Sequence, residues 1–120
     1  MYQMTEAEER FADYVWEHEP VGSGELVKLC GEAFGWKKST TYTFIKKLCE
    51  QGILKNEKAI VTSLITKEEY LQGQGEAFVE KAFRGSLPKM IAAFMERKRL
   101  TPEQVAEIEQ MIEDYKEGRL

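Results

Sequence analysis

Three short helical stripes, each stopped by Gly or Pro, precede two β-prone runs separated by a few polar residues, and this order leaves few folds open. The first stripe opens at Thr5-Glu6-Ala7-Glu8, a capping box in which the Thr5 hydroxyl takes one unpaired amide and Glu8 reaches back. Ala7, Phe11, Tyr14 and Val15 follow at helical spacing with Trp16 beside them, which predicts a helix from about Thr5 to His18, ending before Pro20. Ser23 is the expected cap of a second helix, striped by Leu26, Val27, Leu29, Cys30 and Ala33 and stopped by Gly35 at positive φ. Ser39 is the expected cap of a third, which runs to Gln51 and closes at Gly52. The runs 52–55 and 59–65 then read as strands joined by a loop, Asn56-Glu57-Lys58. Three helices and a hairpin in this order spell a winged helix-turn-helix over residues 1–65.

The third helix has two unlike faces. At 100° per residue, Thr41, Phe44, Ile45 and Leu48 cluster on one side with Cys49 at the margin. Ser39, Tyr42, Thr43, Lys46 and Lys47 fall on the other, with Thr40 near its edge. Lys37 and Lys38 stand at the N-terminus, where backbone amides and the helix dipole also favour phosphate. That is the pattern needed to read double-stranded DNA, with lysines on phosphates and hydroxyls, a methyl or a ring at base edges. No Arg, Asn or Gln lies within residues 37–50, so the strong bidentate pairings with G or A are missing and shape readout is expected to contribute. Such a face can also be a solvated lysine-bearing surface, or a docking face for an acidic protein. Its position after the turn favours DNA.

Net charge looks unfavourable at first. The chain of 120 residues carries −4 overall, and polyanion binders usually carry a positive surplus. Distribution answers this. Residues 1–36 hold two basic and eight acidic groups, residues 37–58 hold six and two, and residues 59–120 hold nine and eleven. The one positive block therefore coincides with the third helix and the hairpin. If a dimer engages about eight phosphates, log K should fall with log salt at a slope near −7.

Residues 66–120 are expected to be helical. Thr66-Lys67-Glu68-Glu69 is a second capping box, opening a helix to about Phe83 whose middle Gly73 and Gly75 weaken by roughly 1 kcal/mol each. After Gly85-Ser86, Pro88 suits the first turn of a helix from Leu87 to about Arg97. Thr101-Pro102-Glu103-Gln104 opens the last one, striped by Val105, Ile108, Met111, Ile112 and Tyr115. Phe78, Val79, Phe83, Met90, Ile91, Phe94, Met95, Ile108, Met111 and Ile112 exceed what a short three-helix unit easily buries. Either they pack back on the first half or they face a second copy.

Other function classes find little material here. No apolar run approaches the roughly 20 residues of a membrane span, and residues 1–6 have neither a basic nor an apolar signal region, so a cytoplasmic chain without membrane insertion is expected. One histidine, His18, and no nucleophile motif argue against an enzyme. Cys30 and Cys49 lie among apolar neighbours with no paired spacing, so they read as small buried hydrophobes and neither metal nor cofactor is expected.

From Thr5 to about Tyr115 the ordered string resembles the penicillinase and methicillin-resistance repressor family. Thr5-Glu6-Ala7-Glu8 and Val15-Trp16 are similar to that family's opening helix. Gly35-Trp36, Ser39-Thr40-Thr41-Tyr42-Thr43, Lys47-Leu48 and Gln51-Gly52-Ile53-Leu54 resemble its tryptophan-led recognition helix and the glycine that closes it. Ser63-Leu64-Ile65, Phe83-Arg84-Gly85-Ser86 and Leu100-Thr101-Pro102-Glu103 continue the likeness. The resemblance implies a mainly α fold with a small β-hairpin wing and a C-terminal three-helix dimerisation region. It implies a homodimer on a dyad operator through helix 39–51, with Phe83, Met90, Ile91, Phe94, Ile108, Met111 and Ile112 at an isologous interface. It also implies a membrane sensor-protease as partner and a cut near Ala93–Phe94, although Ala93 stands where the well-studied members have Asn. The segment Leu54–Leu64 is a few residues shorter than the usual wing and lacks its aromatic return strand. The final Glu117-Gly118-Arg119-Leu120 has no paired cysteines, so copper sensing is not expected, and a same-fold repressor answering another signal stays open.

Overall fold

The computed structural model describes residues 2–119; the outer limits of the two expected segments, residues 1 and 120, lie outside them. Nine elements follow one another: α1 (Glu6–His18), β1 (Val21–Gly22), α2 (Ser23–Phe34), α3 (Lys38–Glu50), β2 (Leu54–Glu57), β3 (Ile60–Ser63), α4 (Lys67–Phe83), α5 (Leu87–Glu96) and α6 (Pro102–Lys116). They divide into two compact units, Met1–Gly75 and Glu76–Leu120, so that α4 is shared between them.

The first unit is built on a three-stranded antiparallel sheet in the order β1-β3-β2. Its core joins Phe11 and Val15 of α1, Leu26 and Cys30 of α2, Ile45 and Leu48 of α3, and Ile53, Leu54 and Val61 around the hairpin. Trp36 anchors the turn between α2 and α3, its ring 4.2 Å from Phe44 and 4.8 Å from Phe34. Trp16 donates its indole N–H to the Ile65 carbonyl at 3.0 Å. The carboxylate of Glu19 accepts from both the backbone N–H and the hydroxyl of Ser63, at 2.8 Å each, and so ties the end of α1 to β3. Tyr70, buried on α4, donates its phenol to Glu9 at 2.8 Å; burial first, and that carboxylate second, push the phenol above its ordinary range. On the same helix Lys67 meets Asp13 at 2.9 Å, and this bond raises the amine's affinity for its proton.

Several local expectations hold in atomic detail. Thr5 and Glu8 form the reciprocal capping box, Thr66 and Glu69 repeat it, and Thr101 and Gln104 do so again with Pro102 in the first turn. Gly35 closes α2 at φ 70°, the left-handed conformation that glycine takes without penalty. His18 sits in the last turn of α1, its Nδ1 2.8 Å from the Tyr14 carbonyl.

Five points differ from the expectations. The two-residue strand β1, which pairs Val21 with Val61 and Gly22 with Ile60, was not expected from the sequence. Ser23 is the first residue of α2, not its cap, and it is buried; its amide donates to the Ala59 carbonyl at 2.8 Å. Lys37, not Ser39, is the N-cap of α3, two residues earlier than expected and without any side-chain cap bond. The hairpin turn is Lys58-Ala59 alone, both at positive φ (51° and 63°), while Asn56 and Glu57 lie in β2 opposite Val61 and Ile60. That conformation matches strand twist in a two-residue turn but normally selects Asn and Gly, which is why the longer loop looked better from the residues. Ala33 is also exposed rather than part of the buried stripe.

The second unit consists of the end of α4 with α5 and α6. Ser86 caps α5 by accepting the Lys89 amide at 3.2 Å. Gly85, at φ 82°, precedes it, and any Cβ there would lie 2.8 Å from a Glu80 carboxylate oxygen. Among the described residues of α5 and α6 none is buried.

A basic, hydroxyl-bearing helix face as candidate nucleic-acid interface

α3 keeps its two faces separate. Thr41, Ile45 and Leu48 are buried, Phe44 and Cys49 are half-buried, and Lys38, Ser39, Tyr42, Thr43, Lys46 and Lys47 are all exposed. Lys37 is exposed at the cap, and Thr40 is half-buried at the rim, as the helical period requires. Without a side-chain cap, the first turn of α3 leaves its outermost amides to whatever approaches from outside, with two lysines beside them.

Not all eight residues are equally available. The Thr43 hydroxyl donates to the Ser39 carbonyl at 2.9 Å and keeps only its acceptor capacity for a ligand. The Tyr42 hydroxyl lies 3.3 Å from that of Ser23, and Lys38 Nζ hangs 6.0 Å from the centre of the Tyr42 ring. Tyr42 is thus 37% exposed but tethered to the start of α2. Lys47 Nζ stands 3.9 Å from a carboxylate oxygen of Glu8 on α1. Lys46 has no ion pair among the described residues and projects beside the hairpin.

Between α3 and β2 runs a groove of about 600 Å³, lined by Tyr42, Ile45, Lys46, Cys49, Leu54, Lys55 and Asn56. It places Lys55 across from Lys46, a wing residue that the reading of α3 by itself passes over. The signal for it was the positive block at residues 37–58, which extends beyond the helix. Burial pushes the Cys49 thiol above the usual range, partly offset by the Asn56 backbone. Burial likewise pushes the Cys30 thiol up in the core, partly offset by the Thr41 hydroxyl. No group of three His, Cys, Asp or Glu that could hold a metal occurs among the described residues. None of the described helices is long and apolar enough to cross a membrane.

A helix with one face in the core and a basic, hydroxyl-rich face outside, following a turn and flanked by a hairpin, defines a winged helix-turn-helix protein. Two solved structures share that fold: the solution structure of the DNA-binding domain of the repressor BlaI, with TM-score 0.53 and 24% identity, covers 57% of this chain and 88% of its own. The solution structure of the monomeric form of Bacillus licheniformis BlaI in complex with the blaP half-operator gives TM-score 0.52 and 23% identity, over 57% of this chain and 89% of that one. The family model described as Penicillinase repressor matches residues 4–114, and the chain belongs to that family of DNA-binding transcriptional repressors. It is 25% identical over 118 residues to the penicillinase repressor of Bacillus licheniformis, spanning 95% of this chain and 92% of that protein. The methicillin resistance regulatory protein MecI of Staphylococcus aureus is 19% identical over 115 residues, 92% of this chain and 94% of its own.

The other expected residues fall in the second unit. Met90, Ile91, Ala93 and Phe94 lie on α5, Ile108, Met111 and Ile112 on α6, and Phe83 ends α4. Phe94, Met111 and Ile112 are exposed, and Phe83, Met90, Ile91, Ala93 and Ile108 are half-buried. The Ala93–Phe94 bond sits inside helical backbone, where the Ala93 carbonyl accepts from the Arg97 amide.

Proposed function

We propose that this chain is a cytoplasmic, homodimeric repressor that sits on a dyad operator, with α3 in the major groove of each half-site. The observation that carries the reading is the outward face of α3: an uncapped N-terminus beside Lys37 and Lys38, then Ser39, Thr40, Tyr42, Thr43 and Lys46 along one exposed side. Lys37, Lys38, Lys46 and Lys55 meet phosphates and set orientation. Ser39, Thr40, Tyr42 and Thr43 face base edges, where hydroxyls, a methyl and a ring give modest discrimination per base pair. Four lysines per copy correspond to about eight neutralised phosphates per dimer and a salt slope near −7.

Two copies are supported by the uncovered apolar residues of α5 and α6 and by the reach of one helix, which reads only a few base pairs. The related BlaI complex is of a monomer on a half-operator, which fits a full site occupied twice. Phe83, Met90, Ile91, Phe94, Ile108, Met111 and Ile112 form the isologous interface in this reading. Release follows proteolysis near Ala93–Phe94 by a membrane sensor-protease. Proteases take extended chain, so α5 has to open before the bond can be cut.

The test is a mobility shift with the DNA upstream of the chain's own gene. Lys46→Ala together with Lys55→Ala should weaken the shift and flatten its salt dependence, whereas Met111→Glu should weaken it while halving the solution mass. Full retention of binding by the lysine pair would instead leave α3 as a docking face for an acidic protein.

A further inference from the structure

The exposed face of α3 carries two adjacent lysines with different surroundings. Lys46 has no ion pair among the described residues, whereas Lys47 turns its amine to Glu8 of α1. The Glu8 side chain is only 4% exposed. One of its oxygens accepts from the Thr5 amide at 2.8 Å, closing the capping box, while the other is buried with no hydrogen-bond partner. Lys47 Nζ, 3.9 Å away, is its only ion-pair partner among the described residues. A carboxylate taken out of water and left with one unsatisfied oxygen holds a nearby cation strongly, because its hydration has already been lost. The lysine, 59% exposed, has the freedom to stay there.

We infer that Glu8 is a positioning residue for the DNA-facing helix: it retains Lys47 as a joint between α1 and α3, so that Lys46 meets phosphate and Lys47 does not. This rests on the reading of α3 as the helix that enters DNA, and it assigns different tasks to two side chains that the helical period alone treats alike. It also gives the buried Glu8, an acidic residue in the core of a DNA-binding unit, a role beyond its helix cap.

The salt dependence of binding separates the two tasks, since each phosphate contact contributes about 0.9 to the slope of log K against log salt. The probe is a duplex selected from a random-sequence pool by the unsubstituted full-length chain. Lys46→Met should make the slope shallower by about 0.9 per bound copy, and Lys47→Met should leave it unchanged. Glu8→Gln keeps the capping box, because Gln fills the same place there, but frees Lys47. The slope should then steepen by about 0.9 per copy, an extra three- to fourfold loss of affinity per copy between 50 and 200 mM salt. Adding Lys47→Met to Glu8→Gln should restore the original slope. Loss of packing alone does not steepen a salt slope, so this pattern cannot come from a loosened fold.

A slope that falls as much in Lys47→Met as in Lys46→Met overturns the inference, as does an unchanged slope in a folded Glu8→Gln. Should Glu8→Gln fail to fold, the Lys47→Met slope alone decides. A pool that yields no duplex, or a flat slope for the unsubstituted chain, instead defeats the reading of α3 as a DNA helix.

Discussion

The two units use hydrophobic residues in opposite ways. In the first, Phe11, Leu26, Leu48, Ile53 and Val61 are completely buried, and the sheet, three helices and two tryptophans close over them. In the second, α5 and α6 bury nothing among the described residues, and Phe78, Met95, Met111 and Tyr115 lie 55–75% exposed. The first unit therefore draws its stability from its own core. The second leaves those side chains uncovered within the chain, and in the proposed dimer a second copy covers them. The lesson is that hydrophobic content says how much can be buried, and only topology says whether one chain suffices.

The sharpest way to break this contrast is to remove matched side chains from each unit. Leu48→Ala should cost about 2–5 kcal/mol in chemical denaturation, by lost transfer energy and a cavity. Met111→Ala in dilute protein should cost well under 1 kcal/mol, because little contact is lost within the chain. If the two costs came out alike, the second unit would have a core of its own. Next in size are the reciprocal caps. Thr5→Ala should cost about 1–2 kcal/mol, since the Glu8 amide then loses the hydroxyl that accepts it in a half-buried first turn, while Thr101→Ala, which frees the exposed Gln104 amide, should cost about 0.5–1 kcal/mol by melting profile.

A third contrast depends on pH. The folded phenol of Tyr70 holds its proton above the ordinary value of 10.0, so between that pH and its folded value the native state binds more protons than the unfolded one. Stability is therefore complete below pH 10 and falls as pH rises past it. Tyr70→Phe should remove that part of the alkaline loss in denaturation curves taken at several pH values. The smallest effect is expected at the surface of the second unit: Lys116→Ala, which breaks an exposed pair with Glu113, should move stability by less than about 0.5 kcal/mol.

How much of this the residues disclose depends on the range of each interaction. Caps at Thr5, Thr66 and Thr101 were legible because both partners lie within one helical turn, and the buried stripe of α3 was legible from its period. β1 was not, since two residues become a strand only by pairing with Val61 and Ile60, far along the chain. Ser23 looked like a cap because serine is a good one; in the fold its hydroxyl lies beside Tyr42 and its amide is used by Ala59. The outward set on α3 was likewise readable from spacing. The tethers of Tyr42 to Ser23 and of Lys47 to Glu8 were not, because nothing local records which neighbouring helix a side chain will meet.

Trp16 and Trp36, the chain's only tryptophans, both lie in the first unit. One is hydrogen-bonded to Ile65 and the other stacked among Phe11, Phe34 and Phe44, so the emission of each depends on that unit remaining closed. The second unit is silent in the same measurement, yet it supplies two of the chain's helices to the far-ultraviolet dichroism. A single sample heated once, with both signals recorded, can thus time the melting of the two halves separately without any label.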